Sequence, residues 1–358
     1  MKRSNSKQKA QSAFKKLGGV VLITATIFFT ACKQTGGGTQ EASFVKGGAL
    51  LILSPDNLNI KVKAVTSDGS AITVEGCNET TLTSDVETTL HATGTRVVLK
   101  GKIIKLNCDG IYDNKQPLTA LNVQGLTSLE KLECQYNQLT ELNVQGLTSL
   151  QELTCYSNQL TELNVQGLTS LERLECQWNQ LTELNVQGCA SLQSLSCHDN
   201  RLTELNVQGL TKLENLWCHY NQLTELNVQG LTKLENLWCY YNQLTALNVQ
   251  GCASLQELSC HDNRLTELNV QGLTALKRLF CYGNKLNAQA MTDLLNALPD
   301  HSAYVNVRAV LYTEKTDKTE GNCKDFTQPE DLKKAFDGAK SRNWKLQKEN
   351  ENGSSEDL

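Results

Sequence analysis

The chain has 358 residues, 39% of them hydrophobic, and a formal net charge of −4. That is enough apolar material for a core. With no basic field and no run of five or more Lys or Arg, nothing here suits a phosphate backbone, which argues against a nucleic-acid partner.

Lys2, Arg3, Lys7, Lys9, Lys15 and Lys16 precede the apolar stretch LGGVVLITATIFFTA, Leu17 to Ala31. It is short for a membrane span, and its basic lead is that of a secretion signal, so residues 1–31 read as a signal peptide. The stretch ends in FTAC, Phe29 to Cys32, which resembles the bacterial lipobox. That resemblance implies diacylation of the Cys32 thiol, although Phe29 stands where an aliphatic residue is usual. An ordinary signal peptide with an incidental cysteine is the plainer alternative. Residues 32–48, containing KQTGGGTQEAS, have the composition of a flexible tether with a reach of roughly 20 Å.

Residues 49–102 alternate apolar and polar with turn signals such as Ser67-Asp68-Gly69, predicting a β-rich N-terminal cap. From Leu118 onward a phrase recurs every 21 residues, with units opening at Leu129, Leu150, Leu171, Leu192, Leu213, Leu234, Leu255 and Leu276. An irregular unit carrying Ile103, Leu106 and Cys108 precedes them. The pattern L-x-x-L-x-C-x-x-N-x-L is the leucine-rich repeat signature with cysteine in place of its third leucine. Residues 103–286 therefore predict a solenoid with a parallel sheet on its concave face and neighbouring strands roughly 4.8 Å apart. In such a strand Leu216 and Cys218 face inward while Trp217 and His219 face out. The asparagines from Asn137 to Asn284 are placed to satisfy backbone groups at the bend. The return segment TELNVQGLTS has the wrong periodicity for a helix, so an extended or 3₁₀ convex side is expected.

Residues 287–348 predict an α/β C-terminal cap. Asn287 is a candidate N-cap for a helix stopped at Pro299, a β-like segment AYVNVRAVLY follows, and Thr327 with Glu330 reads as a capping box for a second helix. The tail 349–358, ENENGSSEDL, reads as disordered.

Nine cysteines, at 108, 134, 155, 176, 197, 218, 239, 260 and 281, hold the same inward position of successive units. Spread along a line, they lack the convergence of a zinc site, and side-by-side thiols on parallel strands fit disulfide geometry poorly. They are expected to be free buried thiols acting as small hydrophobes, as are Cys189 and Cys252; Cys77 and Cys323 are left open. A Cys218/His219 catalytic dyad is ruled out by the strand alternation, which points the two side chains to opposite sides. The HDN triplets at His198-Asp199 and His261-Asp262 lack a matching nucleophile, and no cofactor or metal motif occurs. The chain does not read as an enzyme.

Function is then sought in the outward columns. Before each cysteine run Glu133, Thr154, Glu175, Ser196, Trp217, Trp238, Ser259 and Phe280; after it run Gln135, Tyr156, Gln177, His198, His219, Tyr240, His261 and Tyr282. A third column, at the bend, holds Tyr136, Ser157, Trp178, Asp199, Tyr220, Tyr241, Asp262 and Gly283. Exposed Trp and Tyr are the residues enriched at interface hot spots. Trp178, Trp217, His219, Tyr220, Trp238, Tyr240, Tyr241, Phe280 and Tyr282 are therefore the candidate ligand-binding residues. Rings that merely stack on one another along the ladder are the alternative.

The cysteine-bearing 21-residue unit resembles the cysteine-ladder branch of the internalin-type leucine-rich repeat proteins. With the lipobox and the ending EGNCKDFTQPEDLKKAFDGAKSRNWKLQK, the chain is similar to leucine-rich repeat surface lipoproteins of spirochaetes. That resemblance implies a lipid-anchored protein of the outer membrane and cell surface, engaged in adhesion to host cells or other bacteria. The expected partner is a protein, with a glycan or a ligand-free role as envelope spacer as alternatives; the only membrane contact expected is through the lipid.

Overall fold

The computed structural model describes residues 44–110, 118–301 and 307–358; the signal peptide, Cys32 and most of the tether lie outside them. Every repeat unit contributes one three-residue strand to the large sheet, from Lys131–Glu133 through Asn215–Trp217 to Arg278–Phe280. Neighbours pair in parallel with no register shift, so that Leu195 lies opposite Leu216 and Leu216 opposite Leu237. These strands form the middle of a 14-stranded sheet. Its leucines and ladder cysteines are fully buried, as the period-two alternation of a strand requires when one face is the core.

The bend after each strand is built by the asparagine column. Asn221 accepts the Leu202 N–H at Oδ1 (2.9 Å), and its Nδ2 donates to the carbonyls of Cys197 (3.0 Å), Cys218 (3.2 Å) and His219 (3.3 Å). Two of those four partners belong to the preceding unit, so each asparagine both closes its own bend and ties it to its neighbour. The fold is a leucine-rich repeat solenoid.

The return side is extended. Glu162–Asn164 pairs in parallel with Glu183–Asn185, and Glu225–Asn227 with Ala246–Asn248. Turns such as Leu168 N–H to Val165 O (3.1 Å) link these runs to the next core leucine, with Gly167 at φ 76° supplying a left-handed residue. Only glycine takes that conformation without strain. No 3₁₀ segment occurs among the described residues.

At the N-terminal end, Gly48–Leu53 pairs antiparallel with Arg96–Lys100 and with Leu118–Asn122. The cap sheet thus draws a strand from beyond the sequence boundary at residue 102. The large sheet is also extended here by Asn59–Thr66, antiparallel to Ile103–Asn107. At the C-terminal end, the helix Ala288–Ala297 starts on Asn287, whose Oδ1 accepts the Ala290 N–H (2.9 Å). Strands Arg308–Thr313 and Lys345–Glu349 then continue the repeat sheet in parallel, with the helix Glu330–Ser341 between them in sequence.

Two sequence expectations are corrected in this cap. The capping box does not form: the second helix is capped at Pro329 with no side-chain bond, and Thr327 Oγ1 instead bonds the Asp325 carboxylate (2.6 Å). The tail is not disordered: Ser355–Asp357 pairs antiparallel with Lys345–Glu349. The outermost parallel strand offers unpaired backbone groups, and a polar segment can satisfy them whatever its hydrophobicity.

Every described cysteine is free, and the nine ladder cysteines are buried. Burial pushes the Cys155, Cys218 and Cys260 thiols up to about 12. At neutral pH they are uncharged and inert, because the thiolate is the reactive form.

Candidate binding face

The position that follows the outward column lies three residues past the last strand residue of each unit. Its residues, from Tyr136 through Trp178, Asp199, Tyr220 and Tyr241 to Asp262, all have positive φ, between 49° and 56°. Left-handed backbone at a non-glycine residue is uncommon. Here it recurs once per unit, and it swings each rim side chain against the preceding column. Trp178 meets His198 edge-on at 5.3 Å, Tyr220 meets Tyr240 at 5.6 Å, and Tyr241 meets His261 at 5.7 Å.

Between these rim contacts runs a ring stack along the sheet. His198, His219, Tyr240, His261 and Tyr282 follow one another at centroid spacings of 4.2, 4.3, 4.5 and 4.3 Å, with interplanar angles of 11 to 17°. The spacing is set by the parallel strands, which place equivalent side chains just under 5 Å apart.

The stack sorts the nine candidate residues. Trp178 and Tyr220 are exposed, at 49% and 45%. Trp217, Trp238, Tyr240, Tyr241 and Phe280 are half-buried. His219 and Tyr282 are buried, contrary to the open position expected of them. His219 is sandwiched between His198 and Tyr240. Tyr282 closes the end of the stack beneath Lys318, whose Nζ lies 5.0 Å from its ring centroid. In the column before the cysteines, Trp217 and Trp238 approach at 6.1 Å, Trp238 Nε1 donates to Glu257 Oε1 (3.0 Å), and Arg308 lies over Phe280 at 5.2 Å.

Sequence reading missed Lys318. Its ammonium is bonded to Asp262 Oδ2 (2.7 Å), lies 4.9 Å from the Tyr241 centroid, and comes from a segment 56 residues further along the chain. Asp262 also bonds His261 Nδ1 (2.7 Å). Burial raises the Asp262 carboxyl, but the bonds from His261 and Lys318 outweigh it, and its pKa is lowered. The HDN triplets were the available signal, since one carboxylate in each stands at the rim among aromatics.

His198, Asp199 and His219 bring three potential metal-ligand atoms within 4.8 Å of one another. The stack works against one ion taking all three. Imidazole lone pairs lie in the ring plane, so two nearly parallel rings at 4.2 Å cannot both aim at one point about 2 Å from each nitrogen. Asp199 Oδ2 is moreover bonded to His198 Nδ1 (2.7 Å).

His219 has a consequence for pH. Burial, followed by the positive charge that His198 and His261 would carry, holds its pKa down to about 3. An unfolded histidine titrates near 6.5, so the unfolded chain binds more protons between those values and stability falls as pH falls through that window. The slope expected from this residue is about 1.4 kcal/mol per pH unit. Denaturant midpoints at pH 7, 6 and 5 should show the loss, and His219→Tyr, which copies Tyr240 one unit on, should flatten it while keeping the stack.

No family model matches the chain, and no curated protein matches it. Among solved structures, the functional domain of InlJ from Listeria monocytogenes, which includes a cysteine ladder, aligns at 27% identity and TM-score 0.45, covering 59% of this chain and 50% of that one. YopM, a leucine-rich effector protein from Yersinia pestis, aligns at 26% and 0.41, covering 52% and 48%. A leucine-rich repeat protein of Leptospira interrogans aligns at 24% and 0.27, covering 49% and 67%. The chain spans about half the length of the first two. The strand register and asparagine column described above carry the fold assignment independently of these alignments.

Proposed function

We propose that this is a binding module that takes a protein partner on the aromatic face of its repeat sheet, centred on Trp178 and Tyr220. The observation that carries the reading is their exposure. Among the described residues the large hydrophobics left exposed are Phe44, Val86, Trp178 and Tyr220, and the last two share one rim column. Exposed aromatics on a rigid sheet cost little to order on binding and are typical interface anchors. The surrounding stack holds them in place.

The proposed setting is the bacterial cell envelope, with the module anchored through lipid on Cys32, displayed at the outer-membrane surface and acting as an adhesin toward host or bacterial cells. The basic-apolar leader, the lipobox-like FTAC and the glycine-containing tether support that setting.

The test is capture of surface proteins from host and bacterial cells by the purified protein and by a Trp178→Ala/Tyr220→Ala variant. Losing two hot-spot side chains should weaken capture by about 2–4 kcal/mol, a loss of roughly 30- to 1,000-fold. Unchanged capture would remove this face from the function. Capture abolished by soluble oligosaccharides but insensitive to protease treatment of the target cells would make the ligand a glycan instead.

A further inference from the structure

The sequence GCASLQ-x-LSCHDNRLTELNVQGLT occurs twice, at 188–211 and 251–274. The two copies build the same local geometry. His198 and His261 each place Nδ1 2.7 Å from the carboxylate of the next residue, Asp199 and Asp262. Those aspartates sit at φ 51° and 52°. Each histidine is met edge-on by the rim aromatic of the preceding unit, Trp178 at 5.3 Å and 87° or Tyr241 at 5.7 Å and 81°. Each stacks on the ring of the following unit, His219 at 4.2 Å or Tyr282 at 4.3 Å.

The copies differ in what covers them. The C-terminal one holds a lysine. Lys318 Nζ is 2.7 Å from Asp262 Oδ2 and lies about equally far from the rings of Tyr241 and Tyr282, at 4.9 and 5.0 Å. The side chains of both Asp262 and Lys318 are 13% exposed. In the N-terminal copy the Asp199 side chain is 37% exposed, and its described partner is His198 alone. Beside Asp262 the next rim residue is Gly283, whose N–H is bonded by Glu320 of the covering segment (3.0 Å). Beside Asp199 it is Tyr220, which gives the carboxylate a second aromatic neighbour where the chain's own cover passes in the other copy.

We propose that Asp199, between Trp178 and Tyr220, is a lysine-binding site that receives a side-chain ammonium of a partner protein in the way Asp262 receives Lys318. This deepens the binding reading above and rests on it. Three features carry it. The occupant's chemistry is displayed by the same motif in the same molecule. The two most exposed rings of the sheet face flank one carboxylate, and indole is the strongest of the aromatic faces for a cation. His219, the counterpart of Tyr282, is buried with Nδ1 unpartnered and stays neutral at physiological pH, so it does not repel the incoming charge. Glu349, 3.9 Å from Lys318 in the covered copy, has no counterpart among Asp199's described contacts. A single lysine should accordingly bind weakly by itself and act as one anchor of a larger interface.

The purified protein should be titrated with Nα-acetyl-lysine amide up to about 100 mM, in the range where single-contact ligands bind, while the indole N–H resonance of Trp178 is followed by NMR. The expected result is a saturable shift that the Nζ-acetylated probe does not produce, with Asp199→Asn weakening the binding by at least about tenfold. Asparagine tolerates the left-handed position, and the acetylated probe gives an answer on unmutated protein in any case. Overturning results are no saturable shift, equal binding of both probes, or undiminished binding to Asp199→Asn. If any of these occurs while partner capture still depends on Trp178 and Tyr220, the binding face stands and only the lysine site is lost. Loss of dependence on the aromatics with a positive probe titration would do the reverse.

Discussion

Asn200→Ala is expected to destabilise the solenoid by about 1–3 kcal/mol, because it strands a buried backbone donor at that cost. Asn200 Oδ1 accepts the Leu181 N–H (2.9 Å), and Nδ2 donates to the carbonyls of Cys176 (3.1 Å), Cys197 (3.1 Å) and His198 (3.2 Å). Leu181 is a fully buried residue of the preceding unit, and alanine leaves its N–H without a partner, whereas the Cys176 and Cys197 carbonyls keep the amides of Asn179 and Asn221 and the His198 carbonyl keeps the Trp178 N–H. Asn200→Asp should be no better, since it keeps an acceptor for Leu181 but turns a carboxylate toward carbonyl oxygens. At Asn179, which is only half-buried, water can replace part of what is lost, so Asn179→Ala should cost less. Denaturant unfolding of the three variants, with hydrogen exchange at Leu181, checks the order. A loss below about 1 kcal/mol for Asn200→Ala would show that water replaces the amide in the bend. Because units are held by nearest-neighbour contacts, the damage should centre on units three and four, counted from Leu129, and the transition should broaden.

Lys318→Met is expected to cost about 3–5 kcal/mol, the range for removing one partner of a buried ion pair. It leaves Asp262 at 13% exposure with only His261 to compensate it, close to Glu349, which is held from the other side by Lys315 (3.0 Å). The substitution preserves side-chain length, so the lost charge rather than a cavity dominates. Exposed pairs such as Lys61 with Glu87 should contribute less than about 1 kcal/mol. The loss is read as a lower denaturant midpoint, together with faster exchange at the Thr313 and Gly283 amides that Glu320 accepts.

Most of the repeat was legible before any coordinates, because its determinants are local. A strand's period of two decides that Leu216 and Cys218 go inside, a 21-residue register decides which residues stack, and an asparagine at a constant place decides how the bend closes. Each of these depends only on neighbouring units, so repetition in the sequence is repetition in space. The free state expected of the ladder cysteines followed from the same geometry.

The ends and the outward face were not decided in that way. Leu118–Asn122 joins the cap sheet because Gly48–Leu53 has an edge to fill, and the polar tail pairs with Lys345–Glu349 for the same reason. Equivalent aromatics have different fates. Tyr220 is open, while Tyr282 lies beneath Lys318 and His219 within a stack of rings. The repeat alone determined which side chains point outward. Which of them solvent reaches was settled by left-handed backbone at the rim and by a lysine from the distant C-terminal cap, contacts whose energy depends on tertiary proximity rather than on position within the unit.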